Sequence, residues 1–223
     1  GRRVAFLPRH GEQHQFAPHR VNYRANLWAL RSVGVRQVLA PCAVGSLVPE
    51  LTPGAFVVPD QVIDRTYRAG ATVWEAEGPV VHVPFADPYC PRGRQALIAA
   101  AAPDTPVVAG GALVVINGPR FSSRAESRWH AASGGSVVGM TGMPEASVAR
   151  ELALCFATVC CVTDADAGVE GEEGVTHQDV LAVFADNIDR LRGHLRRAIV
   201  ALGVDDCSCQ HVLDGMTLPF PLP

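Results

Sequence analysis

Two carboxylates one residue apart, Asp164 and Asp166, stand where a long apolar run ends. The run is Cys155-Phe156-Ala157-Thr158-Val159-Cys160-Cys161-Val162. Its small, β-branched and apolar side chains read as a strand buried on both faces. In an open α/β sheet, ligands bind beyond the carboxyl ends of the strands. Thr163-Asp164-Ala165-Asp166 would then be an irregular segment that aims two carboxylates at one ligand. An ionised carboxylate only accepts hydrogen bonds, so it suits a ligand that offers N–H donors, such as an amino-purine edge. The competing reading is an aspartate capping the following helix.

Other chemistry-bearing residues also follow strand-like runs. Arg9-His10 lies after Arg3–Pro8, a short run closed by Pro8, and a solvated turn is the alternative reading there. Gln37–Ala40 reads as a strand running into Pro41-Cys42-Ala43-Val44-Gly45-Ser46, a small-residue loop where backbone can approach a ligand closely. Leu113–Ile116 leads to Phe121-Ser122, and Ser136–Val138 leads to Gly139-Met140-Thr141. If these strands lie side by side, five loops ring one pocket.

The elements that must position them follow from periodicity in Val21–Val33 and Thr176–Leu202, and elsewhere from alanine content and from Pro144 as a helix start. Helices are predicted over Val21–Val33, Arg92–Ala102, Ser123–His130, Pro144–Leu154 and Thr176–Leu202. Ala55–Val58 and Val80–Val83 read as further strands, ended by Pro59 and Pro84. The tail, Leu218-Pro219-Phe220-Pro221-Leu222-Pro223, is expected to be extended and packed on another part of the molecule.

A chain of 223 residues fits one α/β domain, with two small ones as the alternative, and 48% hydrophobic residues can fill a large core. The net charge of −3 and the lack of a basic block argue against a nucleic-acid partner. No apolar run reaches the roughly 18 residues of a membrane span, and Gly1-Arg2-Arg3-Val4 opens no signal-peptide core. The seven cysteines follow no framework spacing; Cys155, Cys160 and Cys161 are expected in the core. Cys207-Ser208-Cys209 has no matching cluster in the sequence, so free thiols are preferred to zinc, and no metal is expected. The expected compartment is the cytoplasm.

Leu7-Pro8-Arg9-His10-Gly11 and Val21-Asn22-Tyr23-Arg24-Ala25-Asn26 resemble the methylthioadenosine phosphorylases, trimeric members of the purine nucleoside phosphorylase family. Gly118-Pro119-Arg120-Phe121-Ser122-Ser123-Arg124-Ala125-Glu126-Ser127, Met140-Thr141-Gly142-Met143-Pro144-Glu145 and Thr163-Asp164-Ala165-Asp166 strengthen the likeness, which spans nearly the whole chain in the family's order. The resemblance implies one domain over 1–223, with a central mixed, twisted, partly barrel-like sheet flanked by helices. It implies cleavage of 5′-methylthioadenosine by phosphate, to adenine and 5-methylthioribose 1-phosphate, with phosphate as co-substrate and no cofactor. By resemblance Arg9, His10, Cys42, Ala43 and Thr141 bind phosphate, and Met140 packs on the ribose. Phe121 stacks on the purine, with Ser122 and Gly139 beside it. Asp164 and Asp166 face N7 and the exocyclic amine, Asp164 as the acid with a pKa raised by burial and by Asp166. His82 comes from a neighbouring subunit of a homotrimer to the 5′ substituent, whose pocket is lined by Val175, His177 and Val180.

The chain departs from the family pattern in three places. An N-terminal strand and Gly-rich phosphate loop are not in the sequence; Pro41-Cys42 stands where two threonines are common; and His177 replaces an apolar residue. A thiol is a weak donor in place of a hydroxyl. The competing activities are a 6-oxo purine nucleoside phosphorylase, a nucleoside hydrolase, and a non-catalytic nucleoside-binding protein. Asp164 and Ser122 stand where 6-oxo enzymes tend to carry Asn and Glu, which favours the 6-amino purine.

Overall fold

The computed structural model describes residues 2–167, 169, 177–203 and 205–223, with side chains from residue 182 onward in the last helix. Its frame is a seven-stranded mixed sheet flanked by five helices. The strands are β1 (Gln37–Ser46), β2 (Phe56–Val58), β3 (Gln61–Arg65), β4 (Val107–Ala109), β5 (Ala112–Ile116), β6 (Gly135–Gly139) and β7 (Cys155–Ala165). The helices are α1 (Tyr23–Ser32), α2 (Pro91–Ala99), α3 (Arg124–Ala132), α4 (Gly142–Glu151) and α5 (His177–Ala201). The sheet runs β3-β5-β6-β1-β7-β2-β4. The β1/β7, β2/β4, β3/β5 and β5/β6 pairs are parallel, whereas β1/β6 and β2/β7 are antiparallel.

The apolar run of β7 is buried on both faces, as its composition predicts. Side chains alternate across a strand. Phe156, Cys160 and Val162 therefore join Leu113, Val148 and Leu152 in one core, while Ala157, Val159 and Cys161 join Phe56, Leu97 and Leu191 in a second. The tail packs as expected: Phe220 meets the rings of Trp28 and Trp74, and Leu222 sits against the first core.

Several expectations are corrected. Arg3–Pro8 forms no strand; Phe6 is 89% exposed. Val80–Val83 is also irregular, and His82 is exposed there. Neither run pairs with a strand among the described residues, and a strand exists only through its ladder. The small-residue stretch Pro41–Ser46 is not a loop but the second half of β1, paired with β7. Likewise Thr163, Asp164 and Ala165 still belong to β7. Strands β3 and β4 were not legible: β3 has only Val62 and Ile63 as apolar residues, and β4 has three residues in all.

Candidate active site

The pairing of β1 with β7 runs in step from Gln37↔Cys155 to Val44↔Val162, then slips to Gly45↔Asp164 and Ser46↔Ala165. Thr163 is the extra residue of this bulge. A bulge re-aims the side chains beyond it. The buried Thr163 hydroxyl donates to the Val44 carbonyl at 3.2 Å and to Asp164 Oδ1 at 2.6 Å. The Asp166 amide then donates to the Ser46 carbonyl at 2.8 Å. Gly45 is required by the close approach: a Cβ there would stand 2.8 Å from Asp164 Oδ2. Sequence, bulge and missing side chain together fix where the two carboxyls point.

Asp166 is 2% exposed, and its Oδ2 has no hydrogen-bond partner among the described residues. Burial pushes its carboxyl above the usual range; the Ser127 and Ser122 hydroxyls and the Ala167 amide pull it partly back, with weak help from His130. Ser122 stands near enough to act on that charge without completing a bond of good geometry, since its Oγ is also unpartnered. A raised carboxyl is expected at Asp164 from the sequence; the structure shows burial raising that of its neighbour Asp166. Asn117 Oδ1 and His130 Nδ1 are two more buried polar atoms without partners among the described residues. Buried polar atoms are normally satisfied, so this group marks a place built for something else. Burial lowers the pKa of His130, which favours its neutral ring. A cavity of about 270 Å³ opens there, lined by Asn117, Gly118, Ser122 and His130. Residues Asn117 and His130 carried no signal in the sequence, because polar residues in a loop or helix usually face water.

A second group surrounds Arg9. Its guanidinium donates to Glu145 Oε1 at 2.7 Å, to Glu145 Oε2 at 3.1 Å and to the Pro41 carbonyl at 2.8 Å. Burial tends to lower the Arg9 pKa, yet the Glu145 carboxylate outweighs it and leaves the guanidinium firmly charged. Glu145 was not among the predicted site residues, although it closes one of the family-like motifs. Cys42 lies 3.6 Å (Sγ–Sγ) from Cys160 and 3.7 Å from Thr158 Oγ1. The Cys160 thiol is the main cause that draws the Cys42 thiol down, with Arg9 contributing less. Thr141 is buried at the start of α4, and its side chain makes no cap bond. The His10 ring meets the Phe16 carbonyl at 2.7 Å and stacks on His14; burial lowers its pKa.

The two groups are joined by β1, which places Pro41 against Arg9 and Gly45 against Asp164. Four residues of strand separate them by about 13 Å. On the other side β6 places Gly139 near Val44 and the Ala43 carbonyl, and Met140 Sδ lies against Gly118. The expected residues thus line the β1/β6/β7 ends in two groups rather than one closed ring. Among the described residues, Ser122 alone of them lines the cavity. Phe121 is half-buried. Val175 lies outside the described residues, as do the side chains of His177 and Val180 at the start of α5.

Arg68 ties this end of the sheet together and went unread in the sequence. It donates to the carbonyls of Met140 and Met143 at 2.7 Å, Asn117 at 2.8 Å and Ile116 at 3.2 Å, and to the Tyr23 hydroxyl at 3.1 Å. All of these bonds come from Nη1 and Nη2, the two outer nitrogens of the planar guanidinium fork.

Residues 1–200 match the model of the phosphorylase superfamily. The chain belongs to this superfamily of glycosyl-transferring enzymes, at its nucleoside phosphorylase branch. Within the branch it is 58% identical to a purine nucleoside phosphorylase of Streptomyces coelicolor, covering 100% of this chain and 84% of that one. It is 55% identical to the S-methyl-5′-thioadenosine phosphorylase of Mycolicibacterium smegmatis, over 99% of this chain and 83% of that one. The fold matches a variant of the adenosine/methylthioadenosine phosphorylase of Schistosoma mansoni in complex with adenine. The TM-score is 0.84 at 41% identity, over 90% of this chain and 78% of that one.

Proposed function

We propose that the enzyme cleaves 5′-methylthioadenosine with inorganic phosphate, giving adenine and 5-methylthioribose 1-phosphate. The observation that carries this reading is the Asp164–Asp166 pair at the β1/β7 bulge, Asp164 Oδ1 held by Thr163 and Asp166 Oδ2 buried with no partner among the described residues. The similarity to thioadenosine phosphorylases supports it.

The chemistry is displacement at the anomeric carbon. A phosphate oxygen forms the new bond to that carbon while the bond to the purine N9 breaks, and its electron pair goes to the base. A carboxyl that delivers a proton to N7 makes the base a better leaving group. Asp164 meets N7 in this proposal. The burial of Asp166 favours a proton held by the pair, and Asp166 faces the exocyclic amine. Phe121 stacks on the base, with Ser122 and Gly139 at its edge, and Met140 packs on the ribose. Arg9, His10, Cys42, Ala43 and Thr141 hold phosphate, with Glu145 fixing the Arg9 fork. Phosphate between this cation and the sugar stabilises the developing positive charge.

The enzyme works in the cytoplasm as a homotrimer, in purine and methionine salvage, without a cofactor. Exposed His82 reaches the 5′ group of a neighbouring site, whose own wall includes Val175, His177 and Val180. Sedimentation at micromolar concentration is expected to give a trimer, and a fully active monomer refutes this part. The name of the Streptomyces relative supports a second reading, a phosphorylase of 6-oxo purine nucleosides. Turnover of methylthioadenosine and of inosine, each with and without phosphate, decides between them. We expect phosphate-dependent release of adenine; inosine preference establishes the second reading, and phosphate-independent turnover a hydrolase.

A further inference from the structure

Four cysteines that are scattered along the chain meet at the other end of β7. Cys90 precedes α2, Cys155 opens β7, and Cys207 and Cys209 flank the start of a short 3-10 helix (Ser208–His211). Their Sγ atoms all lie within 4.8 Å of one another, and Cys90 and Cys207 stand 3.7 Å apart. All four are buried, and none is in a disulfide. The sequence reading found no partners for Cys207-Ser208-Cys209; folding supplies them in Cys90 and Cys155.

We propose that these four thiols form a structural site for one tetrahedral divalent cation of the zinc class. Four thiolates at about 2.3 Å from a central ion stand about 3.8 Å from one another, which is the scale of this cluster. Four sulfur ligands and no oxygen or imidazole select zinc over magnesium or calcium. The surrounding donors suit thiolates: the Gly93 amide donates to Cys90 Sγ at 3.4 Å, and Arg92 and Gln210 reach Cys155 Sγ at 3.7 and 3.9 Å. Such donors around coordinating sulfur are half of a working metal site. The Arg92 guanidinium also offsets part of the negative charge of a tetrathiolate. Binding forms four metal–sulfur bonds and releases the thiol protons to solvent, with no change of oxidation state.

The site is closed, so it serves structure and not catalysis. Cys155 and Asp164 are nine residues apart along β7, about 30 Å. The ion would pin the segment after α5 to the starts of α2 and β7, three pieces of chain that a hydrophobic contact between small thiols holds only weakly.

The test uses the full chain purified under reducing conditions without added chelator. Elemental analysis is expected to find about one zinc per chain, the stoichiometry of a single closed tetrahedral site. After the metal is stripped with thiols kept reduced, cobalt(II) is titrated in. We expect saturation at one equivalent, with the intense visible bands of a tetrahedral tetrathiolate, bleached by zinc. Cys209→Ser and, separately, Cys155→Ser should weaken cobalt binding by at least about 100-fold. Cys161→Ser, in the core but outside the cluster, should leave the spectrum unchanged. If Cys155→Ser does not fold, the parent titration and Cys209→Ser still decide. Reduced protein that carries no zinc and gives no cobalt bands overturns the proposal. So does peptide mapping of natively isolated protein that finds Cys90, Cys155, Cys207 and Cys209 joined in disulfides.

Discussion

An alanine at Gly45 tests what the β1/β7 bulge is for. The added Cβ would stand 2.8 Å from Asp164 Oδ2, and 3.4 Å from Asp166 Cβ and from Val138 Cγ1. The 3.4 Å contacts are tolerable; a carbon 2.8 Å from an oxygen is not, so the Asp164 carboxylate must swing away. Stability should barely register this. Gly45 is not among the glycines with positive φ, so alanine fits its backbone. Replacing a strand glycine gains about 0.5–1 kcal/mol, while loosening the Thr163–Asp164 bond costs about 0.5–1.5 kcal/mol. The two nearly cancel, and unfolding free energy should stay within about 1 kcal/mol of the parent. Catalysis has no such compensation. A group displaced by about 1 Å can cost about 100-fold in rate. That is about 2.7 kcal/mol of barrier, at about 1.36 kcal/mol per tenfold. Urea unfolding should therefore be unchanged, while adenine release from methylthioadenosine at saturating phosphate falls about 100-fold. A stable variant with kcat/KM within threefold of the parent would refute the placement of Asp164 at the reacting base.

Four other outcomes are expected. Asp164→Asn should lower 6-amino turnover by about 10²–10⁴-fold and shift preference toward 6-oxo nucleosides, because an amide can donate to the oxygen; turnover within a few-fold of the parent passes the acid role to Asp166. Phe121→Ala should weaken adenine binding by about 1–3 kcal/mol in calorimetry, the scale of one aromatic face on a base. Arg68→Ala leaves the carbonyls of Ile116, Asn117, Met140 and Met143 without this donor and should cost at least about 3 kcal/mol in denaturant unfolding. Buried His194 lies edge-on to Phe56, and burial lowers its pKa below 6.5. The unfolded chain then binds more protons, so stability is present above 6.5 and is lost as pH falls through 6.5 toward the lower folded value. His194→Leu should flatten the decline in thermal midpoint between about pH 7 and about pH 5.

The family likeness and much of the frame were legible in the sequence, because they rest on local regularities. The Cys155–Val162 run reads as a strand covered on both faces, α1 and α5 fall on stretches with apolar residues at helical spacing, and α2, α3 and α4 fall on the other predicted helical stretches. At the start of α3 the side chains of Ser123 and Glu126 form reciprocal cap bonds with the backbone. What the sequence could not decide was set by pairing between distant segments. Pro41–Ser46 looks like loop because its residues are small, yet β7 offers it a ladder, and backbone hydrogen bonding outweighs local preference. The extra residue at Thr163 exists only as a slip in that ladder, and it decides where Asp164 and Asp166 point. Arg68 reads as a surface cation until four carbonyls converge on it. Cys90, Cys155, Cys207 and Cys209 follow no spacing rule, and only the packing of the segment after α5 against α2 and β7 brings four sulfur atoms within reach of one ion. Sequence determines which side chains are available and which helices form, while pairing decides which stretches become strands. Their mutual distances come from long-range contacts, which no local pattern encodes.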